Sequence, residues 1–207
     1  MHTTVINHPL VAERLTRLRQ TSTTNVEFRK NLYDVSIFLI YEALKEVQVT
    51  KTSIETPLAP TWGYELESCP IIVPVLRAGL GMMDAALFLL PEARVGFVGV
   101  KRDETTLQPD LYLNTIPEGL NGASVLILDP ALATGGSMIQ ALELAHAAGA
   151  GMVTLVSLLA SPEGIEAIDK SGLNPRIVTA SIDERLNDIG FIYPGLGDAG
   201  DRQYGTH

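Results

Sequence analysis

Five short apolar runs that lack in-out alternation constrain this chain most: IIVPV (71–75), VGFVG (95–99), SVLIL (124–128), VTLVSLL (153–159) and RIVTAS (176–181). A strand with one wet face alternates apolar and polar residues, whereas unbroken apolar runs suit strands covered on both faces of a parallel sheet. Parallel neighbours need long crossovers between them. LGMMDAALFLL (80–90), GGSMIQALELAHAAGA (135–150) and PEGIEAIDKSG (162–172) each read as a crossover helix. The expected class is α/β, with a mostly parallel central sheet flanked by helices.

The first fifty residues read as helix. Phe28, Leu32, Val35, Leu39 and Ala43 recur at steps of three and four on one face, Thr24 with Glu27 forms a capping box, and TPLAP (56–60) begins a turn-rich connection. Two regions break the α/β rhythm. Residues 101–119, KRDETTLQPDLYLNTIPEG, are polar and irregular, a protruding loop or hairpin arm of the kind that covers a site. The tail NDIGFIYPGLGDAGDRQYGTH is glycine-rich to its end.

With 207 residues, 46% of them apolar, the chain has enough core for one domain spanning 1–207. A formal charge of −9 argues against nucleic acid as the principal partner, because a backbone-binding face needs clustered Lys and Arg. Cys69 is the only cysteine and the four histidines are scattered, so the sequence offers neither a disulfide framework nor a metal-ligand spacing; His146 reads as an ordinary helix residue. The N-terminus lacks a signal-peptide pattern and no apolar run approaches membrane-span length, which makes the expected location the cytoplasm, away from any membrane.

LILDPALATGGSMIQAL (126–142) is the stretch richest in chemistry: a buried strand, one acid, a glycine bend, then a helix beginning near Gly135. Ligands of open α/β sheets bind at the carboxyl ends of strands, and a helix N-terminus presents unpaired N–H groups to anions. Thr134, Gly135, Gly136 and Ser137 suit phosphate, since glycines let successive N–H groups converge and hydroxyls add donors. Asp129 would repel phosphate, so its useful partner is a hydroxyl or a metal ion. Phosphate and sugar together indicate a ribose 5-phosphate. The competing reading has Thr134 simply capping the helix. No lysine follows these glycines, which excludes a P-loop, and Gly195-Leu-Gly197-Asp-Ala-Gly200 lacks the Rossmann context of preceding strand, following helix and later acid. Arg77 and the pair Lys101–Arg102 end neighbouring strands, and two strand-end arginines in an acidic chain form a candidate anion clamp.

Together, NHPLVAERL, VPVLRAGLGMMD, LDPALATGGS, ASPEG, TASID and GFIYPGLGDAGDRQYGT resemble the uracil phosphoribosyltransferases of the type I phosphoribosyltransferase fold. Pro130 fills the place where most of the superfamily carries a second acid, as is usual for the uracil branch. The resemblance implies transfer of a 5-phosphoribosyl group from 5-phosphoribosyl 1-diphosphate to uracil, giving UMP and diphosphate, with Mg²⁺. It assigns Asp129, Pro130, Ala131, Leu132, Ala133, Thr134, Gly135, Gly136 and Ser137 to the phosphoribosyl substrate. Asp129 would meet the ribose hydroxyls, and Arg77 and Arg102 the diphosphate. Ile192, Gly197, Asp198 and Ala199 would line the uracil site, a C-terminal hood, with Asp198 also reaching the phosphoribosyl substrate directly or through Mg²⁺ and water. Asp129, Asp198, Arg77 and Arg102 thus form the candidate catalytic set; no protein group is assigned as a direct metal ligand. Tyr193 either packs beside the base or is a core aromatic. The family further implies a homo-oligomer, at least a dimer, and makes GTP a candidate effector, since it activates some relatives. Two other functions share the fold: a pyrimidine-sensing RNA-binding regulator, against which the charge of −9 counts, and a transferase for another base, against which the GLGDAGD tail counts.

Overall fold

The computed structural model describes residues 2–102 and 109–206, with the side chains of Arg102 and Pro109 outside that description. Its central sheet has the order β1 (His2–Val5), β10 (Arg176–Ile182), β9 (Val153–Ala160), β7 (Val125–Leu128), β4 (Ile71–Leu76), β5 (Val98–Arg102), β6 (Pro109–Asn114). Every pair along it is parallel except β5–β6. A two-residue strand, β8 (Ala131–Leu132), adds a parallel pairing on β9.

The unbroken apolar runs have the cause expected of them. Along β4 and β7 successive side chains point to opposite faces, and both faces are buried. Ile72, Leu126 and Leu128 join one apolar cluster, while Ile71, Val73, Val75, Val125 and Ile127 join the other. The first cluster is covered by α1 (Pro9–Arg19), α2 (Asn25–Ala43) and α3 (Leu80–Leu89), the second by α4 (Gly136–Ala147) and α5 (Pro162–Lys170). The three crossover helices and all five strand runs lie where the sequence puts them, although β5 begins only at Val98, Val95 making a lone bridge to Ile72.

The N-terminal fifty residues are not continuous helix. They contain β1, which joins the sheet beside β10 with Val5 opposite Thr179, then α1 and α2. The α2 face is as expected: Phe28, Leu32, Val35 and Leu39 have no exposed area, Ala43 only 2%, and the face packs on the sheet. Its start is the expected capping box, with the Thr24 N–H on Glu27 Oε2 at 3.0 Å and the Glu27 N–H on Thr24 Oγ1 at 3.3 Å.

TPLAP, expected to begin a turn-rich connection, is the tip of an antiparallel hairpin, β2 (Val49–Glu55) with β3 (Pro60–Leu66). Both hairpin faces are mostly exposed, so the in-out alternation that marks a strand is missing; the β-branched and aromatic residues around the turn are the remaining signal. The expected arm at 101–119 is an antiparallel pair of β5 and β6, tied by Lys101 and Asp110 at 3.4 Å; residues 103–108 lie outside the described residues. The tail does not taper off. It forms a ribbon of β11 (Arg185–Leu186) and β12 (Ile192–Tyr193), then α6 (Ala199–Tyr204), with Gln203 fully buried.

Candidate active site

From β4 the chain crosses to β5 on one side, while β7 lies on the other, so the strand order reverses between β4 and β7. The following helices α3 and α4 take opposite faces, and their loops part to leave a crevice at the strand ends. Arg77 and Asp129 are the residues those two loops deliver there.

The loop after β7 is fixed before it reaches the glycines. The Asp129 N–H donates to Val156 O at 3.2 Å, and Pro130 O accepts from the N–H groups of Leu158 and Leu159 at 3.0 and 2.9 Å. From below, Ser161 Oγ donates to Ala133 O at 2.6 Å while accepting from the Gly164 N–H at 2.8 Å, so the N-cap of α5 also holds the loop. A Cβ on Gly164 would stand 2.3 Å from Ala133 O; only glycine allows this approach. Gly135, at φ 85°, then swings the chain into α4. Thr134 is exposed and does not cap the helix, whose N-cap is Gly135 without a side-chain hydrogen bond. The capping alternative therefore fails, and the first-turn N–H groups stay open to an anion. A cavity of about 130 Å³ sits on this helix end, lined by Asp129 and residues 131–138.

A second cavity of about 420 Å³ adjoins it and shares Asp129, Ala131, Ala133 and Ser137. Its lining brings together Arg77, Asp129, Ile192, Gly197, Asp198 and Ala199, six residues singled out in the sequence. Burial pushes the Asp129 carboxyl up to about 7; the Ala131 N–H on Oδ1, at 3.3 Å, opposes this and the negative Asp198 adds to it. Two carboxylates sharing a cavity are an oxygen donor set that fits a hard cation. Asp198 also caps α6, accepting the Asp201 N–H at 2.8 Å, which fixes its backbone at the cavity wall. Arg77 is exposed at the mouth, its Nη2 3.3 Å from Asp201 Oδ1.

Of the remaining expected residues, Leu132, Thr134, Gly135 and Gly136 line the smaller cavity, whereas Pro130 is buried behind it and acts through its carbonyl. The Arg102 side chain lies outside the described residues. Tyr193 is neither core nor shown beside a base; it is 47% exposed, with the Arg185 guanidinium 4.5 Å over its ring. The sequence reading missed Val100, Leu159, Ile189 and Phe191, which line the larger cavity. The last two are brought in because Asn187 Oδ1 accepts the N–H groups of Ile189 and Phe191 at 3.2 and 2.9 Å. LNDIG thus carried a turn signal, an Asn bonding its own backbone, that could have found them. The wider cleft at the opposite ends of β9, β10 and β1, about 580 Å³ and lined by His2, His146 and Arg176, has no glycine cradle.

An anion cradle and a carboxylate pair meeting at the switch point, beneath a folded C-terminal hood, put the chain in the type I phosphoribosyltransferase class. A family model described as uracil phosphoribosyltransferase matches residues 5–206. A uracil phosphoribosyltransferase of Corynebacterium diphtheriae is 47% identical over 205 residues, covering 99% of this chain and 97% of that protein. One of Streptomyces griseus is 49% identical, covering 98% and 97%. The solved structure of the AQ2163 protein from Aquifex aeolicus is similar, with a TM-score of 0.92 and 38% identity over 99% of this chain and 98% of that one. The chain belongs to the uracil phosphoribosyltransferase family.

Proposed function

We propose that this chain transfers the 5-phosphoribosyl group of 5-phospho-α-D-ribose 1-diphosphate to uracil, giving UMP and diphosphate. The observation that carries the reading is the pair of adjoining cavities that share Asp129, one on an uncapped helix end and one under the hood. The N–H groups of Gly135, Gly136 and Ser137, with the Thr134 and Ser137 hydroxyls, hold the ribose 5-phosphate. Asp129 accepts from the ribose hydroxyls, which stations the anomeric carbon at the junction of the cavities. Uracil lies under the hood against Ile192, Gly197, Asp198 and Ala199.

Uracil N1 bonds to C1′ as the C1′–O bond breaks; diphosphate leaves with the electron pair, and the N1 proton is released. Positive charge builds on the ribose and negative charge on the leaving group, so fixed charges supply the catalysis. Arg77 offsets the diphosphate charge from the strand end, with Arg102 as its counterpart on β5. Asp129 and Asp198 are the carboxylates that would hold Mg²⁺, directly or through water, and the ion would supply further positive charge against the departing diphosphate. Backbone N–H groups under the hood meet uracil O4 but would face an amino group in cytosine, and mismatched buried donors discriminate strongly.

The same reading treats residues 1–207 as one domain whose two apolar clusters lie on one sheet. Among the described residues no helix is long and apolar enough to cross a membrane. The phosphorylated substrate and the unpaired Cys69 favour the cytoplasm. Homo-oligomerisation is supported by the β2–β3 hairpin, which exposes 97% of Leu58, 64% of Trp62 and 67% of Tyr64 and is too thin to shelter them. The test is to mix the protein with Mg²⁺, uracil and 5-phosphoribosyl 1-diphosphate and measure UMP, with cytosine and hypoxanthine as controls and GTP added as a candidate effector. UMP formation from uracil alone is expected; absence of UMP, or faster turnover of hypoxanthine, refutes the assignment.

A further inference from the structure

The hood is held by groups that never reach the cavity. Arg19, the last residue of α1, pairs with the buried Asp183 just past β10: Nη1 to Oδ2 at 2.6 Å and Nη2 to Oδ1 at 2.5 Å. This pair closes on both backbone polar groups of a single residue, Gly195. Asp183 Oδ2 accepts the Gly195 N–H at 2.9 Å, and Arg19 Nη1 donates to Gly195 O at 2.7 Å. The fourth bond on the carboxylate comes from Ser181 Oγ, at 2.9 Å to Oδ1. Burial works against the Asp183 charge, yet the bonds from Arg19, Ser181 and Gly195 outweigh it and hold the carboxyl below the usual range.

Only glycine fits at position 195. Its φ is 62°, and a Cβ there would lie 2.1 Å from Ile192 O. The next carbonyl, Leu196 O, accepts from Arg202 Nη1 at 2.9 Å; the same guanidinium donates to Gln20 O at 2.6 Å and to Leu18 O, and lies 4.6 Å over the Phe28 ring. Two consecutive hood carbonyls are thus tied by two arginines to the C-terminal end of α1. Immediately beyond them come Gly197, Asp198 and Ala199, which line the cavity. Neither Arg19 nor Asp183 lines it.

We infer that the Arg19–Asp183 pair is a positioning device that fixes the backbone of the base-reading hood, so that α1 sets recognition of uracil without touching it. The inference rests on the assignment of Ile192 and Gly197–Ala199 to the uracil site. A fork-to-fork pair bonded to both the N–H and the carbonyl of Gly195 holds the two peptide planes that flank its Cα against rotation, which a single point contact does not. Lysine could keep the charge but not the two parallel bonds.

Asp183→Asn and Arg19→Lys in the full chain test this by steady-state kinetics and by hydrogen exchange of the substrate-free protein. Each variant is expected to raise KM for uracil about tenfold or more, the loss typical of a hydrogen bond to a charged group. KM for 5-phosphoribosyl 1-diphosphate should stay within about twofold, since the cradle is held by β9 and α5 instead. Amides of the segment 192–200 should exchange faster while those of β9 and β10 keep their protection. Equal rises in both KM values, a fall in kcat alone, or unchanged exchange at 192–200 would overturn the inference. Faster exchange with no change in KM for uracil would overturn it as well. If one variant fails to fold, the other still decides between these outcomes. Failure of the parent protein to make UMP would instead remove the assignment of the site.

Discussion

Asp129 is the half-buried acid on which both cavities converge, and its ionisation should be visible in stability before any substrate is added. Its pKa is pushed from an ordinary 3.8 up to about 7 in the folded chain, chiefly by burial. The folded state therefore holds the proton more tightly than the unfolded one. The resulting destabilisation is absent below pH 3.8, grows by about 1.4 kcal/mol per pH unit as only the unfolded chain ionises, and levels off above pH 7. Over pH 5 to 8 that amounts to nearly 3 kcal/mol as an upper bound, and because the carboxyl borders an open cavity, solvent reduces it to roughly 1–3 kcal/mol. Asp129→Asn keeps the shape and lets Oδ1 accept the Ala131 N–H, but has nothing to ionise. Urea unfolding of both proteins in metal-free buffer should show the variant gaining about 1–3 kcal/mol on the parent between pH 5 and pH 8. The other titrating groups are common to the two chains and largely cancel, Asp198 being the one coupled to Asp129. A difference that stays flat with pH, or a variant that loses ground at pH 8, would refute the claim that the fold holds Asp129 against its charge. The same variant should lose most UMP formation, and the parent's activity should fall below pH 7 as the carboxylate is protonated.

Asp198→Asn should lower turnover strongly while leaving the circular dichroism spectrum intact, because asparagine caps α6 about as well as aspartate does; near-parental turnover would show that the Asp198 charge has no part in the reaction. Gly164→Ala, whose Cβ would press on Ala133 O at 2.3 Å and Leu132 O at 2.8 Å, should cost about 1–3 kcal/mol in denaturant titration and raise KM for 5-phosphoribosyl 1-diphosphate more than KM for uracil. Thr24→Ala removes the capping box of α2 and should cost about 1 kcal/mol with both KM values unchanged.

Much of this architecture follows from local chemistry. Apolar runs buried on both faces, helices of crossover length and the Thr24–Glu27 box depend on residues adjacent in the chain, so the parallel α/β class, the strands β4, β7, β9 and β10 and the helices α2 to α5 were legible. So was the cradle, because an acid, a bend and a helix start lie within one short stretch. The family resemblance assigned Arg77, Ile192 and Gly197–Ala199 to the same site, and the fold brings them to one cavity. Features whose burial pattern or partner lies far away in the chain were not legible. The β2–β3 hairpin has no buried face to impose alternation. Strand β1 is recognisable only beside β10, across more than 170 residues of chain. Val100, Leu159, Ile189 and Phe191 reach the cavity only once three separate segments converge.

The sequence by itself determined the sheet, the crossovers and the strand, glycine bend and helix start of residues 126–142, because each rests on periodicity or on contacts within one loop. Tertiary structure alone decided where the hood lies and what holds it there. Gly195 is pinned by Asp183 just past β10 and Arg19 from α1, and no local pattern in PGLGDAGD announces either partner. Long-range polar pairs carry no periodic signature; their geometry exists only after the apolar faces have packed and brought the two ends of the chain together.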